Sequence, residues 1–116
     1  MLGHAPHGFL SYGRDGRMYA ILARASRRRP ADPENIAAGE AVELFNSLVS
    51  YAGTFTIHGN TVIHHVDISW NESWTGTDQV RHFTMEGDRL SISTDPAANG
   101  VDGEMIVWEV EWQKVR

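Results

Sequence analysis

The 116 residues of this chain set the scale of a single domain, able to bury roughly two thirds of the surface that its unfolded form exposes. Ten lysines and arginines against fifteen acidic residues give a net charge of −5, which argues against nucleic-acid binding because that binding depends on neutralising phosphates. The absence of cysteine excludes disulfides, thiolate metal sites and a cysteine nucleophile. No apolar run suits a membrane helix and the first residues lack a signal-peptide pattern, so we expect a soluble cytoplasmic protein.

A β-hairpin is predicted over residues 8–25, at the start of the chain. Two extended runs flank Gly13-Arg14-Asp15-Gly16, where the Asp-Gly step supplies the positive φ that a tight turn needs. A polar segment without periodicity follows, and it includes Arg24 and the cluster Arg27-Arg28-Arg29. We interpret this segment as a solvated loop rather than as an anion-binding patch.

A helix is predicted from Pro33 to Ser50. Asp32 offers a capping oxygen, and Pro33 suits the first helical position, where its missing N–H costs nothing. Gly39 weakens this helix by about 1 kcal/mol relative to alanine, so a packed face must hold it in place. The apolar residues at helical spacing, which can lie against a sheet, are Ala37, Ala41, Leu44, Phe45 and Leu48.

Three extended segments follow, Tyr51–Ile57, Thr61–Trp70 and Thr77–Met85, and their turn-separated pattern is typical of consecutive antiparallel strands. Because side chains alternate between the faces of a strand, each segment has one face that can point into a shared interior. These three faces comprise Tyr51, Gly53, Phe55 and Ile57; Val62, His64, Val66, Ile68 and Trp70; and Gln79, Arg81, Phe83 and Met85.

Two more strands complete the predicted sheet. The turn at Gly87-Asp88 leads into Arg89–Thr94, and after a loop rich in proline and glycine the last strand runs from Glu104 to Trp112. Its predicted core face holds Ile106, Trp108, Val110 and Trp112. About seven antiparallel strands, with one α-helix between the second and third, predict a mainly β fold: a meander that closes into a barrel.

Several short motifs in order carry a resemblance to a known family. They are Leu2-Gly3, Gly8-Phe9-Leu10-Ser11-Tyr12, Asp15-Gly16-Arg17-Met18, Tyr51-Ala52-Gly53-Thr54-Phe55, Val62-Ile63-His64-His65-Val66, Asn71-Glu72-Ser73-Trp74-Thr75-Gly76-Thr77, Arg81-His82-Phe83, Gly87-Asp88-Arg89-Leu90 and Val107-Trp108-Glu109. Together they resemble the bacterial and fungal lipocalin-like domain family, from Leu2 to Glu109. The resemblance implies a small calycin-type β-barrel with a ligand cavity, in a family some of whose members lie near polyketide or other secondary-metabolite genes.

The chain departs from the family pattern in one respect. Such domains usually begin with a strand like G-T-W-x-L ahead of the segment that matches Leu2-Gly3, and this sequence has none. A barrel needs its first strand to close. We therefore expect either an open barrel or a homodimer whose interface includes the first hairpin or the last strand and buries part of Trp108 or Trp112.

His64 and Arg81 are the residues for which a catalytic role is predicted. An imidazole that is partly removed from water titrates near neutral pH and can move protons on a ligand; the alternative is a core histidine hydrogen-bonded to a neighbouring strand. A guanidinium inside a barrel needs a partner, which a ligand carboxylate, enolate or carbonyl could supply. The alternative is an ion pair with Glu109 or Asp67, if the strand faces are shifted by one residue.

Aromatic and polar residues of the predicted interior complete the candidate ligand site. Trp70 and Trp74 flank the loop of residues 71–76 at one predicted barrel mouth and are equally plausible as core residues. The predicted ligand-binding residues are Tyr12, Met18, Tyr51, Phe55, Trp70, Trp74, Gln79, Phe83 and Trp108.

Neither a metal site nor a cofactor site is predicted. His64 and His65 point to opposite faces of one strand, and the six histidines show no helical H-x-x-x-H pair. No phosphate loop, dinucleotide fingerprint or G-x-S-x-G elbow is present. Three hypotheses therefore remain open: a binder of a small apolar or polyketide-like ligand, a cofactor-free isomerase or cyclase in which His64 moves a proton and Arg81 stabilises an enolate, and an assembly protein.

Overall fold

A computed structural model of the chain describes Leu2 and residues 6–94, 97–98, 105–106 and 109–114. The strands in chain order are β1 (His7–Tyr12), β2 (Arg17–Ala23), β3 (Leu48–His58), β4 (Thr61–Ser69), β5 (Asp78–Glu86), β6 (Arg89–Thr94), β7 (Ala97–Ala98), β8 (Met105–Ile106) and β9 (Glu109–Gln113). The α-helix α1 covers Ala38–Asn46, and a short 3-10 helix covers Glu72–Trp74.

Seven of the strands form one antiparallel sheet in the order β1-β2-β3-β4-β5-β6-β9. The sheet coils into a nearly closed barrel, and α1 lies between β2 and β3 in the chain, so the predicted fold class is confirmed. The short strands β7 and β8 pair with each other in a separate two-stranded sheet. No helix within the described part of the chain is long and apolar enough to cross a membrane.

The predicted helix start at Pro33 is wrong. The Asp32 side chain accepts a hydrogen bond from the backbone N–H of Glu34 at 3.0 Å, and the Asp32 carbonyl accepts one from the N–H of Asn35 at 3.1 Å. The capping oxygen therefore closes a local turn, as aspartate side chains often do. The helix begins after Ala37, which provides no side-chain cap.

The predicted helix end at Ser50 is also wrong, because β3 begins at Leu48. Pairing with β2 sets this boundary: Val49 lies opposite Leu22, and Ser50 lies opposite Ile21. The backbone groups of these residues are satisfied by the sheet ladder, which replaces the last predicted helical turn. The resulting helix is short, and none of its residues is buried.

The inner face predicted for β4 is partly wrong because the strand contains a β-bulge. Ala52 pairs with Ile68 but Gly53 pairs with Val66, which leaves Asp67 as the extra residue on β4. A bulge of this kind reverses the alternation beyond it. Val62, His64 and Val66 point inward as predicted, whereas Ile68 is 68% exposed on the outer face.

The predicted continuous last strand from Glu104 to Trp112 is likewise wrong. Met105–Ile106 pairs with β7, and Glu109–Gln113 pairs with β6. In that second pairing Val110 lies opposite Ile92, and Trp112 lies opposite Leu90. Both are half-buried, in agreement with the face predicted for them. Trp108 lies outside the described residues.

Candidate functional site

The interior face of the central strands brings the predicted polar residues together. Across the sheet, Phe55 on β3 lies opposite His64 on β4, which in turn lies opposite Gln79 on β5. One step along the same face, Val62 lies opposite Arg81. The neighbouring His65 points outward and contacts Asp78, with its Nδ1 atom 2.8 Å from a carboxylate oxygen, so His64 and His65 occupy opposite faces as expected.

The His64 side chain is almost completely buried, with a fractional exposure of 1%. Its Nε2 atom lies 2.6 Å from the Tyr12 hydroxyl oxygen, and its Nδ1 atom lies 2.7 Å from the Tyr51 hydroxyl oxygen. Both ring nitrogens are therefore occupied by tyrosines.

Burial keeps this cluster of three side chains neutral near pH 7. Removal from water, with smaller contributions from the charges of Arg81 and His65, lowers the pKa of His64 to about 4. Burial likewise raises the pKa of Tyr12 and that of Tyr51 above the ordinary tyrosine value. For Tyr51 the charge of Arg81 and its hydrogen-bond interaction with the tyrosine side chain oppose this rise.

Arg81 is a half-buried cation next to this neutral cluster. Its guanidinium donates to the Val80 carbonyl oxygen at 3.0 Å and to the Gln79 side-chain oxygen at 3.4 Å, and its Cζ lies 6.0 Å from the centre of the Trp74 ring. No carboxylate among the described side chains pairs with it. Asp67, one of the two ion-pair partners considered, is exposed at the bulge.

Trp74 connects Arg81 with Tyr51. It lies on the 3-10 helix, which begins where the Asn71 side chain accepts a hydrogen bond from the backbone N–H of Ser73 at 3.1 Å. Its ring centre is 5.5 Å from that of Tyr51 and 5.0 Å from that of Trp70. Trp70 in turn lies 6.1 Å from Phe45 of α1, so a series of aromatic contacts runs from Tyr51 to the helix.

An apolar cavity of about 270 Å³ lies next to the cluster. Tyr12 stands at the boundary, because its ring lines the cavity and packs edge to face with Phe55 at 4.8 Å while its hydroxyl bonds to His64. The complete lining is Tyr12, Phe55, Ile57, Val62, Phe83, Met85, Leu90 and Ile92. Of these, Tyr12, Phe55 and Phe83 are the ones predicted from the sequence to bind a ligand.

The five other lining residues were missed as site residues, although the sequence carried a signal for them. Ile57, Val62 and Met85 belong to the inner faces predicted from alternation, and Leu90 and Ile92 share one face of β6 by the same period. Five predicted ligand residues do not line the cavity. Met18 and Tyr51 belong to the buried core with Ala20 and Val66, while Trp74 and Gln79 contact Arg81 and Trp70 contacts Phe45 of α1.

The arrangement combines an apolar compartment, a neutral chain of hydroxyl and imidazole groups, and one cation without a carboxylate partner among the described residues. An apolar body can fill the cavity while an oxygen atom meets the Tyr12 hydroxyl or the guanidinium. Charge that develops on such an oxygen would be stabilised by Arg81.

The fold is an antiparallel meander barrel with an apolar cavity, and such a barrel suggests small-molecule binding. The model of one family, described as a lipocalin-like domain, matches residues 1–115. The chain therefore belongs to the lipocalin-like domain family, which confirms the resemblance seen in the sequence. Comparison with curated proteins and with solved structures found no match.

Proposed function

We propose that this protein binds a small, largely apolar molecule that carries one oxygen function. The observation that carries the proposal is the apolar cavity of about 270 Å³ next to the hydrogen-bonded cluster of Tyr12, His64 and Tyr51. Cavities that bind small molecules are typically apolar with a few polar groups that fix the orientation of the ligand. A polyketide-like or other polycyclic compound has this combination of properties.

The apolar body of the ligand would lie between β3, β4, β5 and β6, against Phe55, Phe83 and Leu90. Its oxygen would point toward the middle of the barrel, where Tyr12 marks the end of the cavity and Arg81 lies opposite Val62. This orientation keeps apolar groups out of water and brings the oxygen to polar partners, which avoids the cost of burying it without a hydrogen bond.

An enzymatic variant of this proposal is a cofactor-free isomerase or cyclase. In it, His64 would pass a proton through the Tyr12 hydroxyl, and Arg81 would stabilise an enolate-like charge on the ligand. Exchange of the α-protons of 1-tetralone in deuterated buffer, followed by NMR, tests for such transfer. Exchange no faster than in buffer would mean that this probe is bound without turnover.

Blocking the cavity tests the binding proposal directly. Leu90→Trp adds volume to the cavity wall, and Ile68→Trp makes a comparable change on the outer face. Titration of 1-tetralone by calorimetry should show binding to the wild type and to Ile68→Trp, and its loss in Leu90→Trp. Equal binding by both variants would contradict the proposed site.

Homodimer formation is a second proposal, favoured by the edges of the sheet. Among the described residues β1 pairs only with β2, and β9 pairs only with β6. Unpaired strand edges recruit other strands, and a two-fold interface would let two copies cover each other's edges. Light scattering at micromolar concentration should give twice the 13.0 kDa mass of one chain. A mass of one chain would exclude the dimer.

A further inference from the structure

The neutral cluster of Tyr12, Tyr51 and His64 carries one more polar hydrogen than its internal hydrogen bonds use. Tyr12, Tyr51 and a neutral imidazole carry one polar hydrogen each, and the contacts at 2.6 Å and 2.7 Å consume two of them. A neutral imidazole donates at one nitrogen and accepts at the other. The tyrosine that accepts from the imidazole therefore keeps a free hydroxyl hydrogen.

The His64 tautomer decides which tyrosine that is. With the hydrogen on Nδ1, the imidazole donates to Tyr51, and Tyr12 uses its own hydrogen to reach Nε2. With the hydrogen on Nε2, the imidazole donates to Tyr12, and Tyr51 donates to Nδ1. Only the second arrangement leaves Tyr12, whose ring lines the cavity, with a hydroxyl hydrogen that His64 does not use.

Arg81 makes the two arrangements unequal. The guanidinium interacts with the Tyr51 side chain through a hydrogen bond, and its Cζ lies 6.0 Å from the centre of the Trp74 ring, which is itself 5.5 Å from the Tyr51 ring, so the cation acts more directly on Tyr51 than on Tyr12. A guanidinium has only donors, so it attracts a lone pair and repels a hydroxyl hydrogen. Tyr51 should therefore turn its lone pairs toward Arg81 and direct its hydrogen to Nδ1.

We propose that Arg81, acting through Tyr51, holds His64 in the Nε2–H tautomer and so makes Tyr12 a hydrogen-bond donor to an acceptor oxygen of the ligand. The oxygen function would then be a carbonyl of a ketone, quinone or ester. Tyr12 is the residue that determines this specificity, while Arg81, Tyr51 and His64 are positioning residues. The inference rests on the ligand occupying the cavity next to Tyr12, as proposed above.

The tautomer can be measured without any ligand. The ¹⁵N shifts of the His64 ring in the free wild-type protein should show a protonated Nε2 and an unprotonated Nδ1. Arg81→Leu should increase the Nδ1–H form, while Arg89→Leu, which removes an exposed arginine from β6, should leave the shifts unchanged. A wild-type Nδ1–H tautomer, or shifts that do not respond to Arg81→Leu, would overturn the proposal.

The specificity is tested with two probes that differ in one carbonyl group, 1-tetralone and tetralin. The wild type should bind 1-tetralone about tenfold more tightly, which corresponds to one neutral hydrogen bond. Tyr12→Phe should bind both probes equally, with tetralin affinity retained, and Tyr19→Phe on the exposed outer face should keep the wild-type preference.

The experiments distinguish a failure of the proposed binding function from a failure of the donor role of Tyr12. Binding of both probes to the wild type with equal affinity would refute the donor role of Tyr12 and leave the proposed binding function standing. If neither probe binds, the proposed binding function is contradicted. An Nε2–H tautomer that responds to Arg81→Leu would in that case still support the effect of Arg81 on His64. A Tyr12→Phe variant that keeps the preference for 1-tetralone would also refute the inference.

Discussion

Gly53 packs directly against the backbone of His65, so that a Cβ atom at position 53 would overlap with the His65 carbonyl oxygen. This contact lies at the bulge where Asp67 is inserted into β4. It therefore lies at the point where the register shifts between the strand that carries Tyr51 and the strand that carries His64. The missing side chain allows the two strands to approach closely.

Gly53→Ala should consequently lower the free energy of unfolding by about 1–3 kcal/mol, because the methyl group forces the strands apart. Gly39→Ala in α1, where an added Cβ meets no atom within 4 Å, is the matched control. It should raise the free energy of unfolding by about 0.5–1 kcal/mol through helix propensity. Urea titration followed by circular dichroism measures both. Equal stability of the two variants would show that the close approach has no energetic consequence.

The neutral state of His64 predicts a pH dependence of stability. Its pKa is lowered to about 4 in the folded protein by burial, by Arg81 and by His65, whereas an unfolded histidine has a pKa of about 6.5. Between these values the unfolded chain binds the proton and the folded one does not. The free energy of unfolding should therefore have its full value above about pH 6.5 and decrease as the pH falls toward 4, by on the order of 3 kcal/mol.

His64→Gln should remove this part of the pH dependence, since glutamine does not titrate. His58→Gln makes the same chemical change at an exposed position at the end of β3 and is the matched control. Chemical denaturation at several pH values between 4 and 8 provides the comparison. A His64→Gln profile identical to that of His58→Gln would mean that His64 is protonated with similar ease in both states.

Tyr51→Phe should destabilise the fold by about 1–3 kcal/mol, because it leaves the buried Nδ1 atom of His64 without a hydrogen-bond partner. Tyr19→Phe changes an exposed tyrosine and should alter the free energy of unfolding by less than about 0.5 kcal/mol. Thermal unfolding of the two variants compares the same chemical change inside and outside the barrel. A Tyr51→Phe variant as stable as Tyr19→Phe would show that the hydroxyl contributes little to the fold.

Arg81→Leu should keep the fold and have equal or higher stability, because it removes a half-buried charge that has no carboxylate partner in the described part of the chain. Binding of 2-naphthoate should weaken by about tenfold or more relative to naphthalene, since the positive charge next to the site, which attracts the carboxylate, is lost. Arg89→Leu, which removes an exposed side chain 3.7 Å from Glu111, should affect neither probe. Unfolding of Arg81→Leu would identify Arg81 as a structural residue instead.

The alternation of side chains along single strands is the part of this protein that its sequence determined. The period of two correctly assigned His64, Val66 and Phe55 to the interior, because each belongs to a strand whose partners are its neighbours in the chain. The Asp15-Gly16 turn was equally predictable, since positive φ at Gly16 is a local property. Local geometry and sequential pairing carried this information.

Contacts between distant residues decided the remainder. The bulge that turns Ile68 outward results from the register of two paired strands, and α1 ends early because Val49 pairs with Leu22 in a strand distant in sequence. The hydrogen bonds of His64 join Tyr12 on β1 and Tyr51 on β3, whose side chains meet only when the sheet coils. Periodicity assigns a side chain to a face but does not specify which atoms meet across it, so only the tertiary structure could show that both nitrogens of His64 are occupied.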